Sequence, residues 1–213
     1  MALFDLDGTI TRRDTLLPYV AGFLLRHPVR VLRLPRLLPA LVRYLLGRAD
    51  RGELKSALLR ATLGGCTRSQ ADAWTSRFAS RLLRRGLRAD AIEAIARHRR
   101  EGDVLALLSA SVDLYVPAVG RSLGFAEILC TEVRWNGDRL AGTLASANRR
   151  GREKVFCLAQ LRVRHPGLPV TAYGDSRSDL EHLKLVEHPV LVNGTWRARR
   201  AAAREGIPCR KWD

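Results

Sequence analysis

The sequence lacks the features that mark several classes of protein. It has four cysteines in 213 residues and no CxxC pair, so neither a disulfide framework nor a cysteine-bound zinc ion is expected. No run of about 18 uncharged apolar residues occurs, as a membrane-spanning helix would need. Aromatic residues make up 6% of the chain and are not interleaved with basic ones, which argues against a nucleic-acid surface built on base stacking.

Lysine is also scarce, although the chain is strongly basic. Of the 37 basic residues only four are lysines, and the formal net charge is +16. A positive field of this size favours phosphorylated substrates, anionic membrane surfaces or other polyanions. The alternative is an arginine-rich composition spread over solvated helix faces.

Two carboxylates follow the first apolar segment. Residues 1–4 are typical of a short buried strand, and Asp5, Asp7 and Gly8 come next. Ligands bind at the carboxyl ends of the strands in an open α/β sheet. A carboxylate there can attack phosphorus, and a second carboxyl with a raised pKa can supply and remove the proton. The pair predicts phosphoryl transfer; a charged turn that merely ends a strand is the alternative.

Two candidate phosphate-binding segments occur later in the chain. Ser109 and Ala110 follow the predicted strand 104–108 and precede a predicted helix, so a hydroxyl and main-chain N–H groups are available for phosphate oxygens. A simple helix cap is the alternative. Lys154 begins another predicted helix and is expected to neutralise charge on the phosphoryl group and on Asp5. The alternative is a solvated surface lysine.

A second acidic pair follows the predicted strand 169–173. Asp175 and Asp179 are separated by three residues, and carboxylate oxygens suit Mg²⁺. We expect Asp175 to bind the ion together with Asp5 and the main-chain carbonyl of Asp7. Asp179 is expected to act through water or by steadying Asp175 and Lys154. Acids that only favour a helix N-terminus are the alternative.

The sequence Asp-x-Asp-Gly-Thr at residues 5–9, followed in order by Ser109, Lys154 and Asp175/Asp179, resembles the motifs of the haloacid dehalogenase superfamily. Most members of that superfamily are phosphatases. The resemblance implies that Asp5 is the nucleophile and Asp7 the general acid and base. It further implies that phosphate is bound by Gly8, Ser109, Ala110 and Lys154, and that the cofactor Mg²⁺ is bound by Asp5, Asp7 and Asp175 with Asp179 behind them.

Strands alternate with helices from residue 89 onward, which predicts an α/β fold with a doubly wound parallel sheet. Residues 14–88 are predicted to be a helical insertion. This insertion and the hairpin signal Asn136-Gly137 are similar to the phosphoserine-phosphatase-like branch, subfamily IB. That branch implies a Rossmann-like catalytic core, residues 1–13 and 89–213, and an all-helical C1 cap, residues 14–88.

Residues 24–48 of the insertion are rich in arginine and leucine. Arg26, Arg30 and Arg33 fall together on a helical wheel, as in segments that lie in an anionic membrane interface. The alternative is a cap whose leucine face packs against the rest of the protein. His27-Pro28, this run and residues 63–67 are similar to the bacterial phosphatidylglycerophosphatase C family, which implies a lipid phosphate substrate and a membrane-apposed cap.

The sequence therefore predicts a Mg²⁺-dependent phosphatase that hydrolyses a phosphate monoester through an aspartyl-phosphate, with a lipid phosphate such as phosphatidylglycerophosphate as the substrate. A soluble phosphatase for a small, phosphoserine-like metabolite is the first alternative. A basic membrane- or nucleic-acid-binding protein with a vestigial core is the second. Because Asp5 stands so early, no cleavable signal peptide is expected, and we expect a cytoplasmic protein, peripheral on the inner face of the cytoplasmic membrane.

Overall fold

The computed structural model describes all 213 residues and contains eight strands. They are β1 Ala2–Phe4, β2 Leu105–Val112, β3 Glu127–Thr131, β4 Val133–Asn136, β5 Arg139–Leu144, β6 Thr171–Gly174, β7 His188–Val192 and β8 Cys209–Arg210. Six of them form one parallel sheet in the order β3-β2-β1-β6-β7-β8. The strands β4 and β5 form a separate antiparallel pair. The first strand of the chain therefore lies in the middle of the sheet, between β2 and β6.

Nine α-helices accompany the strands. They are α1 Leu16–Arg26, α2 Leu38–Leu45, α3 Arg51–Thr62, α4 Arg68–Arg85, α5 Ala89–Arg100, α6 Val116–Ser122, α7 Arg152–Arg164, α8 Leu180–Leu183 and α9 Trp196–Arg204. A 3-10 helix, Pro28–Leu37, lies between α1 and α2. None of the helices is long and apolar enough to span a membrane.

The alternation of side chains along β1 explains why both faces of the sheet are covered. Ala2 and Phe4 belong to a buried cluster that includes residues of α5 and α6. Met1 and Leu3 belong to a second buried cluster with residues of α7, α8 and α9. A central parallel strand buried on both faces is the arrangement of a doubly wound sheet. The α/β, Rossmann-like prediction is confirmed.

The helical insertion between β1 and α5 packs on the sheet through aromatic side chains. Tyr19 of α1 lies 5.0 Å from Phe78 and 4.6 Å from Tyr115, measured between ring centroids. Trp74 donates a hydrogen bond from its indole N–H to the carbonyl of Tyr19. Tyr19 is fully buried and Phe78 nearly so. These contacts fix α1 and α4 beside the carboxyl end of β1.

The outer part of the insertion, which comprises the 3-10 helix and α2, is exposed rather than buried. Neither the 3-10 helix nor α2 contains a buried residue. Nine of the fifteen exposed large hydrophobic side chains of the protein lie between residues 17 and 46, and Leu25 and Leu32 are 84% and 81% exposed. Leu34, Leu37 and Leu41 are only partly exposed, and the 3-10 helix and α2 both contact α3. One side of this segment therefore packs on the insertion, while most of its large aliphatic side chains face outward.

Candidate active site

The turn after β1 is shaped by Gly8 and brings two motifs together. Asp5 donates its main-chain N–H to the carbonyl of Tyr173 in β6, and Thr11 closes the turn with a hydrogen bond to the Leu6 carbonyl. Gly8 has φ +82°, and a Cβ built on it would overlap the carboxylate of Asp175. Only glycine satisfies both conditions, so the loop after β6 can bring Asp175 against the turn after β1.

Lys154 joins the two acidic motifs. Its Nζ donates to Asp5 Oδ1 and to Asp179 Oδ1, both at 2.6 Å. All three side chains are buried. Burial alone would lower the pKa of Lys154, but the carboxylates of Asp179 and Asp5 outweigh it and raise that pKa above its ordinary value. The lysine is a permanent cation that orients both carboxylates.

The two carboxyls on Lys154 titrate in opposite directions. Burial, together with the charges of Asp179, Asp175 and Asp7, raises the pKa of Asp5 well above its ordinary value in spite of Lys154. Burial also acts to raise the pKa of Asp179. The charge of Lys154 and the hydrogen bonds from Lys154 and Ser176 outweigh it and hold that pKa below its ordinary value. Lys154 pairs with both carboxylates at the same distance, so one cation faces the several acids gathered around Asp5.

Asp7 is held by the insertion and by the end of β2. Its Oδ1 accepts from the N–H of Thr15 at 2.8 Å and from the Thr15 hydroxyl at 2.6 Å. Its Oδ2 accepts from the hydroxyl of Ser111 at 2.6 Å. Burial raises the pKa of Asp7 against these hydrogen bonds. Burial is the largest cause of this raised pKa, ahead of the hydrogen bonds and of the charge of Asp14.

The acidic residues present fit a divalent cation. Carboxylate oxygens of Asp5, Asp175 and Asp179 lie within 4.8 Å of one another. Burial and the nearby Asp179 raise the pKa of Asp175 to about 7, which is the response of carboxyls crowded without enough positive charge. Asp179 already accepts from Lys154 and, through Oδ2, from the N–H and hydroxyl of Ser176. It is therefore better placed to orient its neighbours than to bind an ion directly.

Ser109 differs from the sequence expectation in its local setting. The predicted strand end at Leu108 is wrong: β2 continues to Val112, with a register shift against β3 between Ser109 and Val112, and α6 begins only at Val116. Ser109 is fully buried, and its Oγ accepts a hydrogen bond from the N–H of Ser111. No helix N-terminus follows Ser109 directly, because the local serine-to-main-chain hydrogen bond and the sheet pairing hold this stretch extended.

A cavity of about 640 Å³ collects most of the predicted site residues. Its wall includes Asp5, Asp7, Gly8, Ala110, Lys154, Asp175 and Asp179. Ser109 is the one predicted site residue that does not line it, and Ser111 takes that place. Ser111 and Thr15 are site residues that were not predicted from the sequence; their hydroxyls reach Asp7 across 104 and 8 residues of chain. The only sequence signal for Ser111 is that it carries a hydroxyl three residues after the predicted strand 104–108.

Lys55 is a further residue that the sequence analysis did not single out. It lies on α3 of the insertion, and its Nζ donates to the Ala110 carbonyl and to Asn148 Oδ1, both at 2.5 Å. Burial, with smaller contributions from Arg150 and Arg51, lowers the pKa of Lys55 to about 8. The insertion thus places a cation directly against the last residues of β2.

Comparison with known proteins identifies the family. The family model that describes haloacid dehalogenase-like hydrolase sequences matches residues 2–184. Protein CicA of Caulobacter vibrioides (strain NA1000 / CB15N) is 35% identical over 192 residues, which cover 88% of this chain and 83% of CicA.

Solved structures agree on the fold. A Bordetella pertussis Tohama I protein of unknown function superposes with a TM-score of 0.82 at 24% identity, covering 98% of this chain and 96% of that chain. A phosphoserine phosphatase, solved as a phospho-aspartyl intermediate analogue, superposes with a TM-score of 0.67 at 15% identity, covering 98% and 91%. Because the family model matches most of the sequence, we conclude that this chain belongs to the haloacid dehalogenase-like hydrolase family.

Proposed function

We propose that the protein is a Mg²⁺-dependent phosphatase that hydrolyses a phosphate monoester through an aspartyl-phosphate on Asp5. The observation that carries this proposal is the meeting of Asp5, Asp7, Lys154 and Asp175 in one cavity at the carboxyl edge of the sheet. These residues supply a nucleophile, an acid, a fixed cation and a metal ligand within one site. The larger cavity beside it and two further cavities contain none of these four residues.

Asp5 has one oxygen available for attack. Its Oδ1 is held by Lys154, whereas Oδ2 accepts no hydrogen bond within the chain. The carboxylate is oriented by the lysine on one side and can form the new bond to phosphorus with the other oxygen. Covalent catalysis of this kind divides one difficult hydrolysis into two easier steps.

Asp7 is suited to the proton transfers of both steps. Because burial raises its pKa, it is more readily protonated near neutral pH than an ordinary aspartate. It can donate the proton to the leaving oxygen and then, as a carboxylate, accept a proton from the water that attacks the phosphoenzyme. Thr15 and Ser111 fix its orientation, so that the same group serves both steps.

The metal site is proposed to consist of Asp5, Asp175 and the main-chain carbonyl of Asp7. When bound, Mg²⁺ would supply positive charge to the phosphoryl oxygens and to the crowded carboxylates. Asp179 and Lys154 hold the side chains around the ion. A bound cation would also favour ionised Asp5, which the nucleophilic role requires.

The direct test is hydrolysis of nitrophenyl phosphate by the purified protein with Mg²⁺ and with a chelator. We expect turnover only with the metal, and no turnover by Asp5→Asn in either condition. Turnover that persists in the chelator, or in Asp5→Asn, would contradict the mechanism. Absence of any hydrolysis across aryl, lipid and metabolite phosphates would favour the binding protein with a vestigial core.

The outer insertion supports a lipid phosphate as the substrate. No acidic residue occurs between Thr15 and Ala49, whereas six arginines do, and most of the large exposed aliphatic side chains lie in the same stretch. Leu17 and Tyr44 of this stretch also line the catalytic cavity. An apolar, acid-free surface that reaches the cavity mouth suits an anionic bilayer that presents its own headgroup. The division into a core (1–13 and 89–213) and a cap (14–88), and the position on the inner face of the membrane, remain predictions.

Vesicle sedimentation tests the membrane proposal, and the structure indicates which arginines can be substituted without disturbing the fold. Arg30 donates to the carbonyls of Thr62 and Gly64, and Arg33 also donates to Gly64. Substituting these two would disturb the fold. Arg36 and Arg48 make no side-chain hydrogen bond or ion pair, so Arg36→Gln/Arg48→Gln removes charge alone.

With vesicles of phosphatidylglycerol we expect the double arginine variant to bind about thirtyfold more weakly, since each basic residue at an anionic surface contributes about 1 kcal/mol. Leu32→Gln/Leu45→Gln should weaken binding as well. Arg197→Gln/Arg200→Gln on α9 is the charge-matched control and should bind as the wild type does. Equal binding of all variants, or no binding by the wild type, would favour the small-metabolite phosphatase.

A further inference from the structure

Tyr115 and Thr15 form a buried hydrogen-bonded chain that ends on Asp7. The Tyr115 hydroxyl lies 2.9 Å from Thr15 Oγ1, and Thr15 Oγ1 lies 2.6 Å from Asp7 Oδ1. Both Tyr115 and Thr15 are buried, and neither lines the catalytic cavity. An effect of Tyr115 on the reaction therefore passes through Thr15 and Asp7.

The direction of the hydrogen bonds along this chain follows from the number of protons available. Thr15 has one hydroxyl proton, and it donates this proton to the carboxyl oxygen of Asp7. Tyr115 is therefore the donor and Thr15 the acceptor in the bond between the two hydroxyls. Burial raises the pKa of Tyr115 well above its ordinary value, so the phenol keeps the proton that it donates.

The chain gives the two carboxyl oxygens of Asp7 different tasks. Oδ1 accepts from the N–H and from the hydroxyl of Thr15, and these two donors occupy its two lone pairs. Oδ2 accepts only from the hydroxyl of Ser111, so the proton that Asp7 transfers to the leaving oxygen resides on Oδ2. Because Oδ1 accepts hydrogen bonds whether Oδ2 is protonated or not, the chain does not have to rearrange during the reaction.

The ring of Tyr115 is held in place by the insertion. It lies 4.6 Å from the ring of Tyr19 and 5.3 Å from the ring of Phe78, measured between centroids. Tyr115 itself stands just before α6 in the catalytic part of the chain, whereas Tyr19, Phe78 and Thr15 belong to the insertion. A closely packed aromatic cluster restricts the ring to one orientation, and in that orientation the hydroxyl meets Thr15.

We propose that Tyr115 is a positioning residue for the general acid and acts on Asp7 through Thr15. This inference rests on the proposed phosphatase function. Donation by Tyr115 polarises the Thr15 hydroxyl and strengthens its hydrogen bond to the carboxyl, which fixes Oδ1 and leaves Oδ2 free to face the leaving oxygen. Loss of the Tyr115 hydroxyl should therefore affect the step that needs the proton rather than the binding of the phosphoryl group.

Tyr19 offers a matched control in the same aromatic cluster. Its hydroxyl lies 2.9 Å from Thr75 Oγ1, and Thr75 donates to the carbonyl of Leu114 at 2.8 Å. Tyr19 is as fully buried as Tyr115 and likewise donates to a threonine, but its chain ends on a main-chain carbonyl instead of a catalytic carboxyl. Tyr19→Phe and Tyr115→Phe therefore remove the same group from similar surroundings and should lower the stability of the protein by similar amounts.

Two aryl phosphates that differ in the basicity of the leaving group test the proposal. We expect Tyr115→Phe to lower kcat/KM on phenyl phosphate about three- to tenfold, the usual effect of losing one hydrogen bond. On nitrophenyl phosphate, whose phenolate leaves without protonation, the change should be less than about twofold. Tyr19→Phe should change kcat/KM on either ester less than about twofold. Equal losses on both esters, or equal losses in both variants, would overturn the positioning role and leave the phosphatase intact.

Variants of Thr15 test whether Tyr115 acts through this residue. Thr15→Val removes the hydroxyl that joins Tyr115 to Asp7, so adding Tyr115→Phe to it should cause no further loss on phenyl phosphate. Thr15→Ser keeps a hydroxyl and should retain both the activity and the response to Tyr115→Phe. If the losses of Thr15→Val and Tyr115→Phe multiply in the double variant, the two residues act independently and the proposal is wrong.

Proton NMR separates this inference from the proposed function, because it requires no turnover. We expect the Thr15 hydroxyl proton to be observed in the wild type and to move upfield in Tyr115→Phe but not in Tyr19→Phe. If the wild type hydrolyses no phosphate ester, the phosphatase assignment fails, and this shift still decides whether Tyr115 polarises the bond to Asp7. The same Thr15 resonance in the wild type and in Tyr115→Phe would contradict the chain.

Discussion

The turn after β1 and the segment from residue 28 to 46 use their polar and apolar side chains in opposite ways. Around Asp5 and Asp7, buried acids accept hydrogen bonds from Lys154, Thr15 and Ser111. In residues 28–46 no side chain is buried, and aliphatic groups face outward. The first region is organised to hold a small anion and a cation in a fixed geometry. The second offers a surface, and its chemistry depends on what covers it.

This difference predicts that substitutions in the two regions should have different effects on stability and binding. In the catalytic cavity a change of one atom leaves a buried charge without its partner, which costs several kcal/mol. On the outer insertion most changes should leave the fold intact and alter only binding. Arg30 and Arg33 are the exceptions, because they lie in the exposed segment but donate to main-chain carbonyls at the end of α3 and just after it.

The largest effect is expected for Asp5→Asn. The amide has nearly the same shape but cannot form the phosphoenzyme, so we expect kcat on nitrophenyl phosphate to fall by about 10³-fold or more. Asp72→Asn, at an exposed acid of α4 outside the cavity, is the control and should retain activity within about twofold. Comparable activity of the two variants would remove Asp5 from the mechanism.

Asp7→Asn should depend on the leaving group. We expect a loss of about 10²- to 10⁴-fold on an alkyl phosphate, whose alkoxide needs the proton. The loss should be smaller on nitrophenyl phosphate, whose phenolate leaves without protonation. Measuring kcat/KM of Asp7→Asn on both esters checks this. Equal losses would show that Asp7 acts on something other than the leaving oxygen.

Metal binding should appear in stability without any measurement of activity. A ligand at about 100 times its dissociation constant stabilises the folded state by about 2.7 kcal/mol, so Mg²⁺ should raise the melting temperature of the wild type. Asp175→Asn should lose this increase, whereas Asp72→Asn should retain it. A melting temperature that responds to Mg²⁺ equally in all three proteins would place the ion elsewhere.

The same pair of variants gives a pH dependence in the absence of metal. The raised pKa of Asp175 means that the folded protein binds this proton above the ordinary value of 3.8, where the unfolded chain has released it. The contribution of Asp175 to the free energy of unfolding therefore decreases as the pH rises from about 4 to about 7. In a chelator, Asp175→Asn should gain stability relative to the wild type over this window, measured by denaturant unfolding at pH 5 and pH 8.

The smallest effect separates two arginines of the 3-10 helix. Arg30→Gln leaves the carbonyl of Thr62 without its side-chain donor and that of Gly64 with only Arg33, and we expect a loss of about 1–3 kcal/mol in the free energy of unfolding. Arg36→Gln should stay within about 0.5 kcal/mol. Denaturant titration of both variants checks this, and equal stabilities would mean that Arg30 makes no net contribution to holding the 3-10 helix on α3.

The sequence predicts those parts of the fold that depend on local patterns. The apolar run before Asp5 predicts β1, and the helices predicted over 90–100 and from about 152 to 163 lie close to the observed α5 and α7. In the hairpin, by contrast, Asn136 pairs with Arg139, so the central turn residues are Gly137 and Asp138 rather than Asn136 and Gly137. Turn signals locate a hairpin more reliably than they fix its register.

The site was predictable where a residue's role follows from its motif, and not where it follows from a distant contact. Asp5, Lys154 and Asp175 stand at predicted strand and helix ends, whose convergence a parallel sheet requires. Thr15, Ser111 and Lys55 act through partners on other elements, and nothing in their local sequence specifies those partners. Arg30 shows the same limit, because a helical wheel cannot reveal that the carbonyls at the end of α3 lie within its reach.

Acid quenching during turnover of a slow substrate, followed by mass spectrometry of the peptides, tests the central claim most directly. The account predicts a phosphoryl group on Asp5, present with Mg²⁺ and absent in Asp5→Asn. Hydrolysis that proceeds with no phosphorylated peptide, or with the phosphoryl group on a residue other than Asp5, would contradict it.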